Sequence, residues 1–303
     1  MEYGNVPHFD KPISRIVLGS VPFHSDDIKN TFELMDCYLK EGGNCVDLSH
    51  VYGMGDCQRA LGIYMKDRGN RDKIVLFDKG CHHYGGRHRV NRESMISDID
   101  DNHRNLGVTE TDFFVLHRDD QIIPIGSIVE WLNEQVQEGK IKVFGGSNFH
   151  QSRIIAGNEY AKEKGLQGFS ASSSHLSLAS PSAPMWDDCL WVDRVGRMWY
   201  EESKFPLFSW SSGGGGFFAE IDTPDIRRVY RNSINAARLK RAKEFAKKYK
   251  TLPSTISLAW TLSQPLNIFA LIGPANTDQL KHNLEALELK LSLDELNYLE
   301  FGK

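Results

Sequence analysis

No stretch of this 303-residue chain approaches the roughly 18 consecutive apolar residues that a membrane-crossing helix needs. The opening Met1-Glu2-Tyr3-Gly4-Asn5 also lacks the basic flank and apolar core of a secretory leader. The expected setting is cytoplasmic, with no membrane partner. An excess of one charge is missing too: 36 basic against 40 acidic side chains leave a formal net charge of -4. That field is too weak to gather a polyanion, so no nucleic acid partner is expected. Cysteine is scarce. The five present (Cys37, Cys45, Cys57, Cys81 and Cys189) are odd in number and contain no Cys-x-x-Cys pair. This argues against a disulfide framework or a zinc ribbon and leaves packed, reduced thiols. Internal repeats and low-complexity tracts are absent apart from the run Gly213–Gly216. What remains, 40% hydrophobic and 25% charged, is the composition of a folded chain with a substantial core.

The length allows either two domains of about 150 residues or one barrel of about 250 or more. The pattern along the chain decides between them. Short β-branched or aromatic runs recur at Ile16–Gly19, Cys45–Leu48, Ile74–Phe77, Phe113–Leu116, Lys142–Gly145, Gly168–Ser172, Leu207–Trp210 and Phe269–Ile272. Several are almost wholly apolar, as in Ile74-Val75-Leu76-Phe77, which suits strands buried on both faces. Helical stripes fall between them. Ile28, Phe32, Met35 and Leu39 lie on one face of Asp26–Lys40, stopped by Gly42-Gly43. Further stripes cover Ile96–Leu106, Ile128–Val136, Ala236–Tyr249, Ser254–Leu262 and Asp278–Leu289. The expected fold is α/β: a (β/α)8 TIM barrel formed as a single domain over residues 1–303. Long loops are expected after strands six and seven (His175–Asp193 and Gly213–Ile234), with an extra helical segment at the C-terminus.

Catalytic groups of such barrels project from the C-terminal ends of the strands. The second expected strand ends in Asp47, with Tyr52 five residues on; the third ends in Asp78-Lys79 and the fourth in His117. Singly, each has an ordinary structural explanation: a helix cap, a packed ring or a solvated cation. Together they suit one reaction, proton donation to a carbonyl oxygen while hydride reaches its carbon. A phenol with a reference pKa near 10 is a weak acid at neutral pH. A neighbouring ammonium would stabilise its anion and lower that value, and an aspartate would hold the ammonium in place. A neutral histidine would donate to the carbonyl and orient it.

With these residues in view, the chain resembles the aldo-keto reductase family over nearly its whole length. Gly43-Asn44-Cys45-Val46-Asp47-Leu48-Ser49-His50-Val51-Tyr52-Gly53 looks like the family's opening motif, with Leu48-Ser49 where Thr-Ala is usual. Leu116-His117-Arg118 is similar to its fourth-strand ending. The resemblance implies Asp47, Tyr52, Lys79 and His117 as the catalytic tetrad. It also implies a nicotinamide cofactor, held at the carboxamide by Ser147, Asn148 and, where the family has Gln, Ser173. Trp210 would stack on the ring, and Ser211, Ser212, Gly213, Gly214 and Gly216 would approach the pyrophosphate. Gly273, Asn276, Gln279 and Asn283 would grip the adenosine end. The family preference is NADP(H). Asn276 and Gln279 stand where basic residues are usual and His282 where an acid is usual, which admits NAD(H).

The segment Cys81-His82-His83-Tyr84-Gly85-Gly86-Arg87-His88 has a metal-like composition. Coordination needs three or four converging ligands, so it is read as a substrate-side loop and no metal is expected. His50, His82, His83 and Trp186 are the expected substrate contacts. Trp186, Trp191 and Trp199, with Tyr200, are candidates for a lid or a sugar platform, with ordinary packing the equal alternative. The expected activity is NAD(P)-dependent interconversion of a small-molecule carbonyl (an aldehyde, a ketone or a sugar-derived compound) and its alcohol. The alternative is a cofactor-sensing regulatory protein, like the family's channel-associated members, with little turnover. A barrel glycosidase or lyase would leave the cofactor motifs without a role.

Overall fold

The computed structural model describes residues 1–303. The chain begins with an antiparallel hairpin of β1 (Tyr3–Val6) and β2 (Phe9–Ser14), which sequence patterning did not reveal. Eight parallel strands follow: β3 (Ile16–Gly19), β4 (Cys45–Ser49), β5 (Val75–Gly80), β6 (Thr111–Leu116), β7 (Ile141–Ser147), β8 (Ala171–Ser173), β9 (Leu207–Ser209) and β10 (Ile268–Ile272). They pair in chain order, and β10 returns to β3 to close the barrel. All eight expected strands form. The sixth is displaced, because side chains already take the backbone at its start: Asn133 Oδ1 accepts from Gln167 N at 2.9 Å and Asn158 Oδ1 from Phe169 N at 2.7 Å.

Helices wrap the outside: α1 (Ile28–Lys40), α2 (Asp56–Arg68), α3 (Arg92–Leu106), α4 (Ile125–Gln137), α5 (Gln151–Lys164) and α6 (Arg194–Ser203), then α7 (Pro224–Tyr230), α8 (Ser233–Tyr249), α9 (Pro253–Leu262), α10 (Thr277–Leu284) and α11 (Leu293–Phe301). The expected loop at 213–234 contains α7, so it is only partly irregular. The last expected stripe stops at Leu284 and passes through a 3-10 turn, Glu285–Leu287. The C-terminal segment is α11, started by a capping box between Ser292 and Glu295. No helix is long and apolar enough to cross a membrane.

Period-two alternation fixes which side chains fill the barrel. Val17, Cys45, Val75, Phe77, Phe113, Val115, Val143, Ala171, Phe208, Phe269 and Leu271 form one inner cluster. Their neighbours along the strands, including Val46, Leu76, Phe114, Phe144 and Ala270, pack outward under the helices. The inner aromatics stack as a layer: Phe77 on Phe208 at 4.2 Å between centroids and Phe208 on Phe269 at 4.5 Å. Phe9 of the hairpin lies 5.1 Å from Phe113 and joins this cluster with Val6 and Ile13, plugging the N-terminal end. The hairpin therefore serves as the floor of the barrel.

The long connections after β8 and β9 brace one another. Arg228 of α7 donates to the carbonyls of Pro184 and Met185, both at 2.8 Å. The buried Asn235 of α8 bonds both the N–H and the carbonyl of Ser180.

Phe208 touches three inner rings, so Phe208→Ala is predicted to lower unfolding free energy by about 3–5 kcal/mol, measured by denaturant titration. A loss below about 1 kcal/mol would show that the aromatic layer does not hold the barrel together.

Candidate functional site

The alternation that fills the barrel also builds its rim. Asp47 follows Cys45 by two residues, Lys79 follows Phe77, His117 follows Val115, Ser173 follows Ala171 and Trp210 follows Phe208. Each polar or aromatic group thus stands one layer above an inner apolar side chain, at the C-terminal mouth. Asp78, one residue from Lys79, faces the other way. It is buried against α2, where Gln58 Nε2 donates to both its oxygens at 2.9 and 3.0 Å. Burial pushes its carboxyl up to about 7, against the pull of the Gln58 bond and the Lys79 amide.

The ammonium of Lys79, 2% exposed, connects the candidate catalytic groups. It donates to Asp47 Oδ1, to the Leu48 carbonyl at 3.2 Å and to the Tyr52 hydroxyl at 3.2 Å. The Tyr52 ring meets the His117 ring edge-on at 5.9 Å. Asp47, Tyr52, Lys79 and His117 therefore converge. Burial works against the Lys79 charge, but Asp47 and Tyr52 outweigh it and hold the ammonium protonated. His117 lies well below the usual histidine range, from burial first and then the positive charges of Lys79 and Arg118, so its ring is neutral. The expected net lowering of the phenol is not seen. Burial raises Tyr52 to about 12, with Asp47 adding to the rise and Lys79 opposing it.

Ser49 stands where the family's opening motif usually has Ala, and no role was expected of it. It is the last residue of β4, buried on the same face as Asp47, and its hydroxyl lies 3.0 Å from His117 Nδ1. The available signal was its spacing of two from Asp47. The same hydroxyl reaches the Lys79 carbonyl at 3.5 Å, so Ser49 ties the orientation of the His117 ring to β5.

The expected cofactor residues line the next arc of the rim. Ser147 donates to the Ser173 carbonyl at 2.9 Å. Asn148, with a left-handed backbone (φ 60), bonds through Nδ2 to the His117 carbonyl at 3.3 Å and to Ser147 Oγ at 3.1 Å, while its Oδ1 accepts from Leu190 N at 3.1 Å. Ser173 Oγ and Trp210 Nε1 are buried and have no hydrogen-bond partner. Such orphaned groups cost about 1–3 kcal/mol each unless something arriving satisfies them. One face of Trp210 is already covered: the buried His175 ring stacks on it at 4.8 Å, and Tyr230 hydrogen-bonds His175 Nε2 at 3.1 Å. Sequence reasoning missed His175, although it stands two residues beyond Ser173.

After Trp210, Ser211 and Gly214–Gly216 take positive φ and form a tight turn, with Ser212 Oγ donating to the Ser209 carbonyl at 2.7 Å. Space is open beside Gly213 and Gly273. Asn276 and Gln279 are occupied locally. Asn276 Oδ1 caps α10 by accepting from Gln279 N at 3.0 Å, and Gln279 Oε1 accepts from Ala275 N at 2.8 Å. Asn283 lies half-buried further along the same helix, and His282 pairs with Glu285 at 3.1 Å.

Of the expected substrate residues, His82 lies edge-on to His117 at 4.8 Å. His83 approaches Asp188 at 3.5 Å, and Trp186 is exposed with its ring 5.9 Å from Trp210. His50 is half-buried, and its Nδ1 has no partner. Trp199 and Tyr200 pack together at 4.7 Å, and the buried Tyr200 donates to Ser172 Oγ at 2.7 Å. They are packing residues on α6 and form neither a lid nor a sugar platform.

Comparison with known proteins agrees with this architecture. The sequence profile described as the Aldo/keto reductase family matches residues 15–301. Norsolorinic acid reductase of Aspergillus flavus is 25% identical over 311 residues, spanning 95% of this chain and 77% of that protein. An aryl-alcohol dehydrogenase of Pestalotiopsis microspora is 24% identical over 284 residues, spanning 89% and 72%. Among solved structures, the glycerol dehydrogenase AKR11B4 from Gluconobacter oxydans superposes with a TM-score of 0.77 at 19% identity, covering 99% of this chain and 96% of that one. With the profile spanning nearly its full length, the chain belongs to the aldo/keto reductase family.

Proposed function

We propose that this protein is an NAD(P)-dependent oxidoreductase that interconverts a carbonyl compound and its alcohol, with Tyr52 donating the proton in reduction and accepting it in oxidation. The observation that carries this reading is the hydrogen-bonded chain from Asp47 through Lys79 to the Tyr52 hydroxyl, beside a neutral His117. When bound, the nicotinamide supplies or accepts the hydride. Lys79 sits where it would stabilise negative charge developing on the phenol oxygen, which matters more because burial makes the phenol a poor acid. Asp47 keeps the ammonium charged and in place. The neutral His117, held by Ser49 at Nδ1, orients the carbonyl. An intact relay favours turnover over a purely cofactor-sensing role.

Two orphaned polar atoms on neighbouring strands, Ser173 Oγ and Trp210 Nε1, fit a ligand carrying both donors and acceptors, as a nicotinamide carboxamide does. The open space at Gly213 and Gly273 suits a pyrophosphate held by loops after the last two strands. NADP(H) is the preferred cofactor. NAD(H) is the second reading, because Asn276 and Gln279 stand where basic residues are usual and offer no cation to a 2′-phosphate. The aromatic rim of Trp186, Trp210 and His82 and the name of the Pestalotiopsis microspora relative favour an aryl carbonyl or aryl alcohol as substrate. A sugar-derived carbonyl is the second reading, supported by the polar histidines beside that rim.

Tyr52→Phe is predicted to lower turnover by about 10²–10⁴-fold while leaving cofactor affinity intact; full turnover in that variant would refute the proton-donor role. Titration of intrinsic fluorescence should show saturable binding of NADPH, with NADH weaker. Negligible affinity for both coenzymes would overturn the reading. Reduction needs the protonated phenol, which persists well below its value of about 12. Reduction turnover should therefore stay level from about pH 6 to 9, whereas oxidation, which needs the phenolate, should rise with pH. A fall in reduction across that range would mean that another group is the donor.

A further inference from the structure

We propose that His83, His88 and Asp188 form a binding site for a divalent transition cation, zinc or one of similar preference, at the mouth of the barrel. The site begins with a turn. Gly85 (φ 56) and Gly86 (φ 73) both occupy the left-handed region, as a two-residue hairpin turn of the primed type requires. Tyr84 and Arg87 exchange both backbone hydrogen bonds, at 3.2 and 3.1 Å. His83 and His88 are therefore the next pair out, the non-hydrogen-bonded kind whose side chains stand close together on one face. Their rings are 4.2 Å apart.

The third group comes from the connection between β8 and α6, about a hundred residues away. Asp188 has a left-handed backbone (φ 58), and its Oδ2 lies 3.5 Å from His83 Nδ1. One ligand atom from each of the three residues lies within 4.8 Å of the others. Zinc bonds of about 2.0–2.2 Å in a tetrahedron place ligand atoms about 3.4 Å apart. The His83–Asp188 pair already has that spacing, and the exposed His88 has room to close the rest. Two imidazoles and a carboxylate match the preference of zinc-class cations; Asp120 Oδ2, 4.0 Å from His88 Nδ1, stands outside the converging set. The nearby Arg118 guanidinium is held by the carbonyls of His117 at 2.8 Å and Asp187 at 3.1 Å. The composition of residues 81–88 suggested a metal but offered too few converging ligands; Asp188 supplies the missing one.

The position gives the site a consequence. His82, next in the chain to His83, lies against His117. A cation joining the β5–α3 loop to the β8–α6 loop would pin both over the candidate catalytic histidine and slow passage of substrate. This gating role rests on the oxidoreductase reading, whereas cation binding does not. A second cluster, His24, Asp26 and Asp56, serves as a control, because Asp56 is already engaged by the Ser25 amide at 3.2 Å and by Arg59 at 3.4 Å.

The test is calorimetric titration of Zn²⁺ into the full chain after chelator treatment, with circular dichroism confirming the fold of each variant. One equivalent should bind. His83→Ala, His88→Ala and Asp188→Asn should each weaken binding by more than about tenfold, the loss that removal of even an outer-shell partner can cause; Asp56→Asn should not. Should His83→Ala fail to fold, His88→Ala on the exposed hairpin tests the same site. Absence of stoichiometric binding, or binding indifferent to all three substitutions, overturns the site. Zinc should also lower kcat/KM for carbonyl reduction in the unaltered chain and not in His88→Ala. Binding with no change in turnover would overturn the gating role, and absence of any turnover would count against the oxidoreductase reading while leaving the calorimetric result to stand.

Discussion

Each strand of a closed parallel barrel sends every second side chain inward, and this constraint sets both the stability and the chemistry of the chain. Cys45 with Asp47, Phe77 with Lys79, Val115 with His117 and Phe208 with Trp210 follow one rule, in which the lower residue fills the core and the upper one lines the mouth. Shifting β5 by a single residue would send Asp78 inward and Lys79 under α2, so the register that packs Phe77 against Phe208 is the same register that delivers the ammonium. The site needs no support separate from the core.

The electrostatics of the mouth follow from its burial. Removing a lysine and an aspartate from water is costly, and the structure meets that cost with direct bonds from Lys79 to Asp47, Leu48 and Tyr52. The same dry surroundings raise the phenol and neutralise the imidazole. Simple reasoning from the charge of Lys79 predicts an acidified tyrosine, but desolvation is the larger influence in the free protein. In the proposed reaction the lysine would still act, because its effect grows as negative charge appears on the phenol oxygen.

Much of this was legible in the sequence. Runs such as Val75–Phe77 and Phe113–Leu116 are apolar enough to mark strands unaided, and Asp47, Lys79 and His117 sit at their ends. Two helices escaped notice for different reasons. α2 carries a regular apolar stripe, Cys57, Ala60, Leu61, Tyr64 and Met65, that was legible and went unread. α5 buries only Ile154, Gly157 and Ala161, too few apolar side chains for a periodicity to announce a helix. Ser49, His175 and Asp188 were missed for another reason. Spacing of two from Asp47 and from Ser173 was a signal for the first two, but the partners of all three lie far away in the chain, and local spacing does not name a partner that only closure of the barrel brings near.

The hairpin under the barrel has a consequence for water. The inner side chains fill the barrel from wall to wall, so it is a solid core and not a passage. Phe9, Val6 and Ile13 cover the lowest apolar layer and keep solvent from the end opposite the mouth. A segment remote from Tyr52 and Lys79 thereby keeps dry the floor on which they stand.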